Sequence, residues 1–304
     1  MNETSKLASY WKRTWPLHLL LLPAFLITLI YHYVPMLGAV IAFKDYKPWV
    51  GIWDSPWVGW DHFEYLFTFP DSKQVIWNTL VIAFSKQIFG VIVPVLFALL
   101  LNEVAKTAFK KTIQTLVYMP HFLSWVILGG IFVDVLAVQG GIVNRLIGLF
   151  GAQPIFFLGS NDWFRATVVV TDVWKEFGFA AIIFLSALAA VNPNLYEAAE
   201  IDGANRWKQT LHITLPAITP ILIVVATLAL GRIMNAGFDQ IYNLYNPLVY
   251  ETGDIIDTFV YRVGLEGGQF SFGTAVGLFK SVIGFTLIVA CYRILYKLAD
   301  YRIF

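Results

Sequence analysis

Asn192-Pro-Asn-Leu-Tyr-Glu-Ala-Ala-Glu-Ile-Asp-Gly-Ala-Asn-Arg-Trp-Lys-Gln-Thr-Leu-His-Ile-Thr-Leu-Pro216 is a polar stretch between two long apolar runs. It has the grammar of two short helices. Asn192 or Asn194 can cap the first, and Pro193 suits its first turn, where an N–H has no intrahelical partner to lose. Asn194 and Glu197 have capping-box spacing. Gly203 can close that helix in a left-handed cap, and Asn205 can start a second. Pro216 then opens the next apolar run. The stretch reads as a helix-turn-helix lying on a membrane surface. Ala198 and Ala199 are small enough for another protein to approach the backbone, and Leu195, Ile201, Trp207 and Leu211 offer apolar bulk. The competing reading is a plain amphipathic connector.

Working outward, six stretches are long enough to cross a hydrocarbon core about 30 Å thick, which takes about 20 apolar residues. They run over Leu17–Phe43, Val75–Leu101, Thr115–Val138, Ala166–Val191, Leu215–Met234 and Phe272–Tyr296. The first lacks a signal-peptide cleavage pattern, and Pro23 and Pro35 predict a kinked or broken helix there. Composition agrees with a membrane chain. Charged residues make up 13% of the 304, about half the usual share of roughly 25%. With 21 Lys+Arg against 20 Asp+Glu there is no net field to attract nucleic acid, so no nucleic-acid partner is expected. The single cysteine, Cys291, excludes an internal disulfide, and the scattered histidines show no metal-ligand spacing.

Lys and Arg are more frequent on the N-terminal side of the predicted membrane, which places both termini in the cytoplasm. The outer loop after the first span carries Trp49, Trp53, Trp57 and Trp60. They read first as an interfacial belt, and second as a docking contact. The division expected is residues 1–74 (cytoplasmic tail, first span and Trp-rich loop), a transmembrane core over 75–296, and a short cytoplasmic tail over 297–304.

The pattern Glu197-Ala198-Ala199, three residues, Gly203, nine residues, Ile213-x-Leu215-Pro216 resembles the EAA signature of ABC importer permeases. The chain is similar to type I permeases of the maltose-transporter class over about residues 75–295. Tyr33-Val-Pro-Met-Leu-Gly-Ala-Val-Ile-Ala-Phe-Lys-Asp-Tyr46 and Asp257-Thr-Phe-Val-Tyr-Arg262 resemble its polysaccharide and complex-oligosaccharide branch, found in Gram-positive bacteria. The resemblance implies an all-α, six-span fold with a cytoplasmic coupling helix in a bacterial cell membrane. It implies these partners: a homologous second permease, two copies of a cytoplasmic ATPase subunit, an extracellular solute-binding protein, and an oligosaccharide substrate. Glu197, Ala198, Ala199, Asp202, Gly203, Ala204, Arg206 and Lys208 are the implied ATPase-coupling residues. Arg206 and Lys208 serve a membrane surface equally well. No Gly-x-x-x-x-Gly-Lys-Ser/Thr is present. No catalytic residue, metal site or cofactor is therefore expected on this chain, and ATP and Mg belong to the partner ATPase.

Ionisable groups inside the spans cost roughly 2.5–3.5 kcal/mol each on insertion scales. Lys86, Asp134, Asp172, Lys175, Glu176, Arg232 and Lys280 all fall in the outer half or at outer ends of their spans. That sorting suits a water-filled path open to the outside, or an ion-pair set that seals one. The expected path residues are Lys86, Gln87, Asp172, Lys175, Glu176, Asn235, Asp239 and Gln240. Asp172 and Lys175, three apart on one helix, are alternatively a simple pair. Lys280 and Arg232 alternatively snorkel. Trp174, Phe177, Phe179, Phe238 and Tyr242 have faces suited to pyranose rings. Two other classes compete: a secondary transporter, whose inverted repeats are missing, and an importer permease for a non-sugar solute.

Overall fold

The computed structural model describes residues 3–299, with side chains from 14 to 293. Most of the tail expected at 297–304 lies outside the described residues. Among them the regular elements are all helices, joined by turns and loops, apart from one isolated antiparallel bridge between Lys44 and Trp57. Four helices are long and apolar enough to cross a membrane, and up to six crossings result if two bent helix pairs each count as one.

Helix α1 (Glu3–Thr28) continues through a π turn at Leu29–Tyr33 and a 3-10 stretch at Leu37–Phe43. Of the kinked or broken helix expected at Pro23 and Pro35, a full break does not occur, since Thr14–Phe43 reads as one span. The π turn lies just ahead of Pro35, where the ring has no N–H to give and crowds the preceding carbonyls. The side chains from Trp15 to Thr28 are exposed, and the span meets the rest of the chain mainly through Leu37–Phe43.

After α2 (Asp61–Thr68), α3 (Ser72–Asn102) and α7 (Asn161–Ala189) form the central packed pair. The third span departs from expectation. In place of one helix over Thr115–Val138 there are α4 (Thr107–Tyr118), running on to Phe122, and α5 (Trp125–Val135), bent by 106°. Pro120 cannot donate to the helical ladder, Leu123 and Ser124 are extended, and the Ser124 hydroxyl accepts from Ile127 N at 3.4 Å to start the new helix. Helix α6 (Ile142–Leu149) precedes α7. Helix α7 ends at Ala189 because Pro193 holds Asn192 extended. Helix α8 (Pro193–Ile201) turns off at 67°. Helix α9 is continuous from Arg206 to Leu230, so the second short helix of the loop and the fifth span are one rod. Pro216 does not open that span. A π turn at Thr210–Thr214 carries the helix past it. Helix α10 (Phe238–Leu244), a series of short helical turns over 247–266, and α11 (Phe270–Ala299) follow.

Buried apolar side chains form three clusters. Two lie towards the ends of α3 and α7 that face away from the α8–α9 loop, around Ile82, Phe164 and Ile241, and around Leu66, Phe259 and Phe272. The third, around Ala98, Phe184 and Ile218, lies near the loop. None draws a residue from α1. In hydrocarbon, helices gain little from apolar burial against one another, so close packing and polar ties must hold them.

Candidate functional site

In the α8–α9 loop, Asn192 is the cap used. Its side chain accepts from Asn194 N at 3.0 Å, with Pro193 in the first turn. Asp202 follows the last residue of α8, and Gly203 turns the chain with φ +75°. Ala204 N reaches back to Ala199 O at 2.8 Å. The Asn205 side chain accepts from Lys208 N at 2.9 Å and starts α9. Tyr196 Oη and Thr214 Oγ1, 3.0 Å apart, join the two helices. Glu197, Ala198, Asp202, Arg206 and Lys208 are exposed, while Ala199 and Ala204 are half-buried. Arg206 lies 3.7 Å from Glu200, an exposed pair of small value. Ile201 and Trp207 are 87% and 71% exposed. The loop is finished internally and, apart from the Arg206–Glu200 pair, leaves Glu197, Asp202, Lys208, Ile201 and Trp207 exposed.

A second cluster lies in the membrane core. Lys86 is buried on α3, and its ammonium donates to Ala236 O at 2.7 Å and to Gln240 Oε1, with Asp172 of α7 at 3.3 Å. Gln240, fully buried on α10, donates to Val168 O and Thr171 Oγ1, both at 2.8 Å. Gly237, at φ +88°, brings the backbone against this ammonium: a Cβ there would lie 2.8 Å from Lys86 Nζ. One turn along α7, Lys175 is buried and donates to Glu176 Oε1 and His121 O, both at 2.8 Å. Glu176 Oε2 meets His121 Nδ1 at 2.7 Å, and the His121 ring stacks on Phe179 at 4.0 Å. The pairing of Asp172 with Lys175 is therefore corrected. Each takes a different partner, because the Lys86 ammonium and the bend at Leu123–Ser124 bring closer ones. Gln87 is half-buried, and Asn235 and Asp239 are exposed.

Sequence reasoning passed over His121, Thr171 and a set of ties at the end far from the loop. Lys280 pairs with Asp257 at 2.5 and 2.8 Å rather than snorkelling. Arg262 pairs with Asp254 and lies 4.6 Å over the Tyr250 ring. Burial pushes the Asp254 carboxyl up, while the Thr258 hydroxyl and Arg262 draw it down. Arg165 donates to Asn78 Oδ1 at 2.6 Å and to Thr252 O at 3.1 Å. Asp257 and Arg262 are the two ends of the Asp257–Arg262 sequence stretch, and their partners explain why both are charged.

The family described as "Binding-protein-dependent transport system inner membrane component" matches residues 90–304. The chain belongs to this family. Its members are transporter permeases rather than catalytic subunits, and with its apolar helices the chain is a multi-pass membrane protein. The family match takes in the α8–α9 loop and most of the buried cluster, though not Lys86. Protein LplB of Bacillus subtilis (strain 168) is 47% identical, covering 91% of this chain and 87% of its own. The polygalacturonan/rhamnogalacturonan transport system permease protein YteP of the same strain is 46% identical, covering 95% and 90%. Among solved structures, a bacterial ABC transporter involved in the import of the acidic polysaccharide alginate matches with TM-score 0.88 and 38% identity, over 96% of this chain and 99% of that one. The alginate transporter in complex with an alginate pentasaccharide-bound periplasmic protein matches with TM-score 0.86 at 38% identity, over 95% and 96%.

Proposed function

We propose that this permease imports an acidic, uronate-containing oligosaccharide handed to it by an extracellular binding protein. The observation that carries this reading is near-full-length similarity, at 46% and 38% identity, to permeases named for polygalacturonan/rhamnogalacturonan and for alginate. Both namesakes are polymers of sugar acids or contain them. A second, homologous permease completes the path, and two cytoplasmic ATPase subunits supply the energy, holding ATP and Mg themselves. Both termini face the cytoplasm with the α8–α9 loop.

In this reading the loop is the coupling element. Glu197 and Lys208 offer charge to the ATPase, Ile201 and Trp207 fill its groove, and Gly203 sets the angle between α8 and the rod of α9. ATP-driven closure of the ATPase pair moves the loop, and α9 carries that motion to the Gly237 turn. Lys86, Asp172, Lys175 and Gln240 hold the wall of the path rather than line it. Asn235, Asp239 and the aromatic faces of Phe238 and Tyr242 are the residues left to meet sugar.

The test is uptake of labelled trigalacturonate by proteoliposomes holding the complete complex and its binding protein. Uptake is expected with ATP inside and is expected to stop when the partner ATPase carries a Walker-lysine substitution. Uptake that tracks a proton or sodium gradient without ATP would establish the secondary-transporter reading instead. ATP-driven uptake of a neutral sugar alone would keep the importer and overturn the acidic substrate.

A further inference from the structure

Four cations within or beside the packed spans are spent inside the protein. Lys86 is held by Asp172, Gln240 and Ala236, Lys175 by Glu176 and His121, Lys280 by Asp257, and Arg165 by Asn78 and Thr252. Arg232 differs. Its side chain is exposed and makes neither ion pair nor hydrogen bond to any described residue. It sits just past the end of α9, in a turn whose other side is anchored: Ile233 and Met234 are buried in the cluster around Phe259 and Phe272. Asn235, three residues on, is exposed as well.

After Gly237, Phe238 is half-buried and Tyr242 exposed. Phe238 and Tyr242 stack there with ring centroids 5.3 Å apart and planes within 19°. Tyr261 closes edge-on to Tyr242 at 5.0 Å. Lys86 fixes this segment from behind through Ala236 O and Gln240. The result is a free guanidinium, an amide whose Oδ1 accepts from Gly237 N at 3.1 Å and whose NH2 is left open, and an aromatic stack, all on one short segment. The nearby exposed acids Asp239 and Glu266 carry the opposite sign, so a carboxylate arriving here has Arg232 as its attractive charge.

We propose that Arg232 is the specificity-determining residue for acidic saccharides, pairing with the carboxylate of a uronate unit during passage. A guanidinium presents a planar fork that matches a carboxylate with two parallel hydrogen bonds. The Asn235 amide takes ring hydroxyls, and the Phe238–Tyr242 stack takes a pyranose face. This rests on the reading of the substrate as an acidic oligosaccharide. A lipid phosphate would attract the same guanidinium, and the experiment separates the two.

The experiment uses the complete complex in proteoliposomes, with Arg232→Cys in a Cys291→Ser background. Trigalacturonate uptake is expected to fall roughly 10- to 100-fold, the range for losing a hydrogen bond to a charged group. Arg232→Lys should retain more uptake than Arg232→Gln. Treatment of the introduced thiol with a cationic aminoethyl thiosulfonate should restore much of the loss, and a neutral methyl reagent of similar reach should not. Saturating trigalacturonate should slow that modification. Charge rescue without protection by the sugar would make Arg232 a lipid contact and overturn the proposal. Unchanged uptake in Arg232→Gln would also overturn it. If the unsubstituted complex imports neutral sugars and no trigalacturonate, the substrate reading fails first and this inference falls with it.

Discussion

Gly203 and Gly237 share a left-handed backbone, at φ +75° and +88°, and sit in opposite surroundings. A Cβ on Gly203 would meet nothing within 4 Å, whereas one on Gly237 would press on the Lys86 ammonium. Around Gly203 the capping bonds close locally, as from Ala204 to Ala199 and from Lys208 to Asn205. Around Gly237 they cross between distant helices, Lys86 to Gln240 and Gln240 to Val168. Beside the first glycine, Ile201 and Trp207 stand in the open, and beside the second, Ala236 and Ile241 are fully buried. One turn is a finished part with exposed side chains to spare, and the other is a joint that ties distant helices together. The charges of the first region stand exposed, whereas the Lys86 charge in the second is committed to Asp172, Ala236 and Gln240.

The sharpest way to break this contrast is Lys86→Met. Removing one partner of a buried pair leaves the other uncompensated, at a cost of about 3–5 kcal/mol. The purified complex should melt well below the unsubstituted one. An unchanged melting temperature would mean that the Lys86 contacts hold nothing. Gly237→Ala comes next. Left-handed backbone costs a non-glycine residue about 1–2 kcal/mol, and displacing the Lys86 ammonium from Ala236 and Gln240 adds to that. Melting should drop here too, by less.

Gly203→Val carries a conformational penalty of the same order, about 1–2 kcal/mol, but in open space and at a single turn. Melting should shift little, while substrate-stimulated ATP hydrolysis by the complex is lost. Stimulation at the normal level would show that the loop angle does not matter for coupling. Glu197→Lys should leave melting unchanged and lower the yield of ATPase subunit that co-purifies through a high-salt wash. Equal yields would remove Glu197 from the interface.

The spans were legible because hydropathy is a local property summed over about 20 residues. Asn192, Gly203 and Asn205 were legible for the same reason, since each cap is decided within a few residues. Span three was not. Pro120 lies inside an apolar run, and what bends the chain there is the extended pair Leu123–Ser124 and its cap, which hydropathy does not weigh. The start of span five was misread because Pro216 looks like a helix opener, and only the π turn before it keeps α9 whole. The buried charges were recognised, yet their partners were not. Sequence spacing shows neighbours three or four apart, which suggested Asp172 with Lys175, whereas Lys86 and Asp172 meet through the packing of α3 on α7. Burial of Lys86 and Lys175 could not be read from a pattern that has no third dimension.

The partners of α7 also carry a consequence for how the protein is made. Alone in a bilayer, Asp172, Lys175 and Glu176 would weigh against insertion by roughly 2.5–3.5 kcal/mol apiece. Lys86 and His121, which answer these charges, precede them in the chain and leave the ribosome first. When α7 emerges, these partners already stand in the membrane, and only the stretch from Ala236 to Gln240 has still to be synthesised. Moving Lys86 and Asp172 into each other's positions would preserve the pair in the finished fold, with the cation now emerging second. Even so, each charge would then have to find its old partner's hydrogen bonds from the wrong helix. Order of translation and order of neutralisation thus run in the same direction in this chain.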